Sequence, residues 1–242
     1  MSGGAPVIRA RGITRVLPGV VPTTLVRDID LDIGANEFIA VTGPSGSGKS
    51  SLLYLLGLLD VPTAGEILID GRATAAMDED TRAGLRLSTL GFVFQFHFLL
   101  PEFSIRDNVM LPMRALGRLS PEAARARAEE LLASLGLAEH TAKRPDQLSG
   151  GQRQRVAVAR ALANDPRVIL ADEPTGSLDS KSSEQVFAIL RDLVDRQGRT
   201  VVAVTHDLDL AARTDRRVHL VDGRIVEDRP TPGGEVEARV SG

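Results

Sequence analysis

Eight consecutive residues, Gly43-Pro44-Ser45-Gly46-Ser47-Gly48-Lys49-Ser50, carry the strongest chemical signal in this chain. They fit the pattern G-x-x-x-x-G-K-[ST], in which glycines let the backbone curl until its N–H groups point inward at phosphate oxygens. A helix starting just after such a loop presents the positive end of its dipole to the same anion. Lys49 can reach the β- and γ-phosphates of a nucleoside triphosphate, and the Ser50 hydroxyl, followed by Ser51, can ligate Mg²⁺. A second signal is Val168-Ile169-Leu170-Ala171-Asp172-Glu173, four apolar residues ending in two acids. Read as a buried strand, it delivers both carboxylates at its carboxyl end, the edge where open α/β sheets bind ligands. Asp172 there suits Mg²⁺. Glu173 suits a general base for an attacking water, a role that contributes about 10²- to 10⁴-fold.

The surrounding pattern predicts the elements that must hold these groups. Phe38–Thr42 is a short apolar run that reads as a strand feeding the glycine loop, and a helix is expected from Lys49 to Leu59. Leu31 and Ile33 alternate with Asp30 and Asp32 as a half-buried strand does, and Glu66–Ile69 with Asp70-Gly71 reads as a strand ending in a turn. The runs Val168–Ala171, Val201–Thr205 and Val218–Val221 are short, β-branched and separated by helical stretches, which predicts parallel strands covered on both faces. Met77 to Ala163 reads as mainly helical. Ser120-Pro121-Glu122 is a helix start, Leu131, Leu132 and Leu135 continue one face, Gly136 can close it, and a further helix is expected from Gly151 to Ala163. Arg229–Gly242, rich in proline, glycine and charge, reads as a loose tail.

Composition narrows the function classes. The 242 residues are 43% hydrophobic and 25% charged, ordinary values for a globular protein. With 29 basic against 32 acidic residues, the chain has no excess of positive charge for counterion release, so no nucleic-acid partner is expected. The absence of cysteine removes disulfides, thiolate nucleophiles and cysteine metal sites. Met1–Ala10 lacks the apolar stretch of a secretory signal, and the longest apolar run, Leu52–Leu59, is far short of the roughly 20 residues of a membrane helix. A cytoplasmic chain is expected.

A third motif, Leu148-Ser149-Gly150-Gly151-Gln152, opens the helix carrying Arg153, Arg155 and Arg160. Placed between the glycine loop and the Asp172-Glu173 pair, it makes the chain resemble the ABC ATPase family over nearly its whole length. The resemblance implies an α/β, RecA-like P-loop NTPase fold: a mostly parallel sheet, an antiparallel β subdomain and an inserted α-helical subdomain. It divides residues 1–228 into a core, 1–94 and 164–228, and a signature lobe, 95–163, with 229–242 as the tail. It implies that Gln95 touches Mg²⁺ and water, that Ser177-Leu178-Asp179 is the D-loop, and that His206 contacts the γ-phosphate. It also implies a second nucleotide-binding subunit, most simply an identical one. Each ATP would then lie between the glycine loop of one copy and Ser149, Gly150, Gly151, Gln152 and Asp179 of the other.

The family usually places an aromatic residue against adenine. Thr14–Gly19 has none at the corresponding place, which leaves Val16 or Leu17 to pack against the base. Ser51 stands where the family most often has threonine. The apolar segment Phe96–Phe103 reads by itself as local core; the resemblance instead implies a groove for a short helix of an integral membrane subunit, which would hold the chain peripherally at the cytoplasmic face of the inner membrane. That segment, with Leu59–Gly65 and Ala171–Asp179, is most similar to the lipoprotein-releasing and macrolide-exporter branch. A cell-division type that regulates cell-wall hydrolases and a soluble iron–sulfur-assembly type are the alternatives.

Overall fold

Alternating side chains build the first two strands. In β1 (Ile8–Leu17) and β2 (Thr23–Ile33), Ile8, Ala10, Ile13, Ile29, Leu31 and Ile33 are buried, whereas Arg9 and Asp30 face water. β3 (Phe38–Thr42) is buried at every position and leads through the glycine loop into α1 (Lys49–Leu56). β4 (Ala64–Ile69) and β5 (Arg72–Ala73) join the first two strands in an antiparallel sheet of order β2-β1-β4-β5, with Ile8 opposite both Ile33 and Ile69. Then follow α2 (Glu79–Thr89), β6 (Leu90–Phe94), α3 (Ile105–Leu116), α4 (Pro121–Ser134), α5 (Gly150–Ala161), β7 (Val168–Asp172) and α6 (Ser180–Asp195). The last elements are β8 (Thr200–Val204), α7 (Leu208–Ala211), β9 (Arg216–Val221) and β10 (Arg224–Pro230).

The computed structural model describes residues 5–232. The chain packs as two compact units, one made of residues up to Ala83 with those from Arg191 onward, the other of Gly84–Leu190. In the first, β3 lies between β8 and β9 and runs parallel to both, and β10 pairs antiparallel on the outer side of β9. β3 and β8 are continuous apolar runs because both their faces are covered. Leu52, Leu53, Leu55 and Leu56 of α1 are fully buried in the same unit. In the second unit β6 and β7 are parallel, with Leu90 opposite Val168 and Phe94 opposite Asp172. The helices α3, α4 and α5 come between these strands in the chain and pack on one another, α5 also against β6.

Four expectations need correction. The first helix stops at Leu56, not Leu59, because Leu58 turns left-handed (φ 57°) and the Leu59 N–H returns to the Tyr54 carbonyl, closing the end. The helical middle contains a strand, β6, and Val218–Val221 pairs parallel on one side but antiparallel on the other. Arg229 and Pro230 are not loose: they complete β10, and the Thr231 N–H donates to the Asp215 carbonyl at 3.0 Å. The rest of the predicted tail, 233–242, lies outside the described residues.

Candidate active site

The phosphate loop belongs to the first unit. Gly43, Gly46 and Gly48 all have positive φ, and Gly48 caps α1 in the left-handed conformation. Two of these glycines are also required by space. A Cβ on Gly43 would lie 2.1 Å from the Leu220 carbonyl, and one on Gly48 2.3 Å from the Leu25 carbonyl. The loop is thus pressed between β9 and β2 and can present only backbone on its inner side. Pro44, Ser45 and Gly46 are exposed, while Ser47 and Lys49 are buried. The Lys49 ammonium donates to the carbonyls of Gly43 (2.9 Å) and Pro44 (2.8 Å), so the cation is folded over the loop's mouth. The Ser47 hydroxyl is buried without a hydrogen-bond partner. A cradle lined by backbone, holding a cation and an unsatisfied hydroxyl, fits a phosphate group. Ser50 and Ser51 are half-buried on the first turn of α1, and His206 is exposed just after β8. Val16 is half-buried, with its N–H bonded to the Thr63 hydroxyl at 3.0 Å, and Leu17 is exposed at the end of β1.

The acids belong to the second unit. Because Phe94 stands opposite Asp172, the next residues on the two strands, Gln95 and Glu173, emerge side by side at the carboxyl ends of β6 and β7. A Cβ built on Gly176 would lie 3.1 Å from Gln95 Nε2 and 3.5 Å from Glu173 Cβ, so the two side chains flank that glycine. Glu173 has φ 48°, a region a non-glycine residue occupies at a cost of about 1–3 kcal/mol and that concentrates at functional sites. Its carbonyl accepts the Gly176 N–H at 3.1 Å, which fixes the turn that aims the carboxylate.

Ser149 and Gln152 form a reciprocal cap at the start of α5. The Ser149 hydroxyl accepts from the Gln152 N–H (3.2 Å), and Gln152 Oε1 accepts from the Ser149 N–H (2.9 Å). Gly151 is buried here, where a Cβ would meet Ser182 Oγ at 2.5 Å and its Cβ at 2.8 Å. Gly151→Ala is therefore expected to lower stability by about 1–3 kcal/mol through overpacking. Adding Ser182→Ala should recover part of that loss, as urea unfolding of the single and double variants would read. Asp179 precedes α6, where its carboxylate accepts the Ser182 N–H (2.9 Å) and hydroxyl (2.8 Å). Those hydrogen bonds, the backbone one first, hold its pKa below the usual carboxylate value.

The segment after Gln95 is exposed yet anchored. Phe96 is 70% and Phe98 61% exposed, and Leu100 and Phe103 also face water. Asn108, which sequence reasoning passed over, is fully buried behind them. Its Oδ1 accepts the Leu100 N–H, and its Nδ2 donates to the carbonyls of Leu100, Phe103 and Ser104. Nothing local in Arg106-Asp107-Asn108 marks that role, because its partners lie in the preceding loop. Ser182 was passed over for the same reason: its contact with Gly151 spans most of the distance between two motifs.

Residues 26–176 match the protein-family model described as ABC transporter. The lipoprotein-releasing system ATP-binding protein LolD of Anaeromyxobacter dehalogenans is 52% identical over 227 residues, 93% of this chain and 95% of that protein. The macrolide export ATP-binding/permease protein MacB 1/2 of Paracoccus denitrificans is 54% identical over 229 residues, 94% of this chain but only 34% of the exporter. Among solved structures, the dimeric ATP-binding cassette MJ0796 in a post-hydrolysis state bound to ADP and Pi superposes with a TM-score of 0.87 at 40% identity. That match covers 93% of this chain and 99% of the other. The chain belongs to the ABC transporter family. It is an ATP-binding, ATP-hydrolysing subunit with the α/β P-loop fold, similar to the lipoprotein-releasing and macrolide-export ATPases.

Proposed function

We propose that two copies of this chain close around ATP and use its hydrolysis to drive an integral membrane subunit, for export, lipoprotein release or transmission of mechanical force. The phosphate loop of one copy holds the triphosphate through Gly43–Ser51, with Lys49 on the β- and γ-phosphates. Ser149, Gly150, Gly151, Gln152 and Asp179 of the second copy complete the site in trans. In this reading 95–163 is the lobe that delivers the signature, and 1–94 with 164–228 is the core that holds the nucleotide. Glu173 takes a proton from the attacking water, His206 contacts the γ-phosphate, and Val16 and Leu17 pack against the base.

Ser50, Gln95 and Asp172 supply hard oxygen donors of the kind Mg²⁺ prefers. Among the described residues no group of three His, Cys, Asp or Glu side chains forms a metal cage. When bound, Mg²⁺ neutralises charge building up on the transferred phosphoryl group.

The observation that carries the reading is the continuity of the second unit. Gln95, which flanks Gly176 together with Glu173, is followed directly by a loop whose Phe96 and Phe98 rings are exposed. Nucleotide chemistry and a docking surface thus share one stretch of backbone. The relatives support it: one is named for lipoprotein release, another joins ATP-binding and permease parts in one chain, and the cassette structure is a dimer. No helix among the described residues is long and apolar enough to cross a membrane. In the proposed reading the membrane partner holds the chain at the cytoplasmic face of the inner membrane.

The test is a pull-down of tagged protein from native membranes in gentle detergent, with copurifying chains identified by mass. A membrane-spanning subunit is expected with the native chain and is expected to be lost with Phe96→Ser/Phe98→Ser. Recovery of soluble partners alone would leave the ATPase intact and overturn the membrane assignment.

A further inference from the structure

One guanidinium fastens the exposed aromatic loop to the helix that begins with the signature. Arg160, on the last turn of α5, donates from Nη1 to the Phe98 carbonyl at 2.6 Å and from Nη2 to the His97 carbonyl at 2.5 Å. Both accepting residues have positive φ, 63° for His97 and 48° for Phe98, a conformation that large side chains adopt only when their surroundings hold them there. The loop touches the other end of the same helix as well. The His97 ring lies against the backbone of Gly150, and burial, with Arg153 and Arg160 nearby, pushes its pKa down. The Phe94 and Phe98 rings meet edge to face at 5.3 Å, so β6, the loop and α5 are packed as a block.

Arg160 itself is a half-buried cation. Partial desolvation lowers its pKa, and the two carbonyls compensate for the water it gives up. Losing either one would strand a desolvated charge, so the bridge resists sliding. An α-helix transmits such a constraint along its axis, because its hydrogen-bonded turns rise a fixed 1.5 Å or so per residue. Held at Arg160, the loop is tied to a helix that runs unbroken back to Gly150.

We propose that Arg160 is a positioning residue: by gripping the His97 and Phe98 carbonyls, it makes the Phe96–Phe103 loop and α5 move as one body. A displacement imposed on the exposed rings then shifts Ser149–Gln152. The proposal rests on the reading that a partner docks on those rings and that the signature acts on ATP in trans.

Arg160→Lys is the discriminating variant. It keeps the charge but loses the planar fork that spans two carbonyls. In nucleotide-free protein, amide hydrogen exchange should rise about tenfold or more in residues 96–100 and 149–153 together, with β7 unchanged. In turnover, kcat should fall several-fold while the KM for ATP stays near the native value, because the phosphate loop is untouched. Faster exchange confined to 96–100, faster exchange in neither segment, or an unchanged kcat overturns the proposal. If the lysine variant does not fold, Arg160→Gln, which can still donate to one carbonyl, is read in the same way. The exchange measurement needs no ATP and no partner, so it fails separately from the proposed function. A native chain with no membrane partner would sink that reading and leave the coupled exchange standing.

Discussion

Glu173→Gln is expected to bind ATP, form a stable dimer and turn over about 10²- to 10⁴-fold more slowly than the native chain. Glutamine keeps the size of the side chain and leaves intact the Gly176 N–H to residue 173 carbonyl bond that sets the turn. The change therefore removes the proposed proton acceptor while keeping the volume of the side chain. It also removes a negative charge from the place assigned to the attacking water, which favours rather than weakens retention of an anionic nucleotide. Single-turnover hydrolysis and size-exclusion chromatography with and without ATP read the two halves of the expectation. Near-normal turnover would sink the general-base assignment. Slow turnover without ATP-dependent dimerisation would keep the base and sink the closure.

Lys49→Ala is expected to fail one step earlier. Its ammonium now donates to the Gly43 and Pro44 carbonyls. Meeting a phosphate exchanges those neutral acceptors for charged oxygens. Hydrogen bonds to charged groups are worth about 1.5–3 kcal/mol, so the dissociation constant for ATP should rise roughly 10- to 150-fold. The truncation also frees two loop carbonyls, which loosens the curl that Gly43 and Gly48 otherwise enforce. Titration with a fluorescent ATP analogue measures the change. Unaltered affinity with lost turnover would instead make Lys49 a group that acts only in the transition state. The two variants separate binding from chemistry: Glu173→Gln should trap nucleotide, and Lys49→Ala should not hold it.

The parts of this protein that depend on a few neighbouring residues could be read from sequence. The glycine loop is one, since its curl follows from glycine spacing and the strand before it. The Ser149–Gln152 cap is another, because both of its hydrogen bonds span three residues. β3 and β8 announce themselves as β-branched runs, and Ser120 with Pro121 marks the start of α4 correctly. Strand β6 was not legible. Leu90-Gly91-Phe92-Val93-Phe94 is a short apolar run with no period to favour strand over helix, and only pairing with β7 decides it. Gly91 also lets α5 approach β6 closely: a Cβ there would stand 2.4 Å from the Ala161 carbonyl. Arg229–Thr231 looked like tail by composition. The ladder with β9 and the Asp215 carbonyl hold them, and neither is visible in the local residues.

By itself, then, the sequence determined the chemistry on offer: a phosphate loop, an acid pair and a signature, each a local pattern whose physics is satisfied within a few residues. Only the tertiary structure decided how those groups are held. It set Gln95 beside Glu173 through the register of two strands distant in the chain, and it put Glu173 in a left-handed turn. It left room only for glycine at 151 against Ser182 as packed here, and it anchored the aromatic loop on Asn108 and Arg160. For the strand register, Gly151 and the aromatic loop the physical reason is shared: close approach and hydrogen-bond satisfaction depend on partners that sequence spacing alone does not bring together.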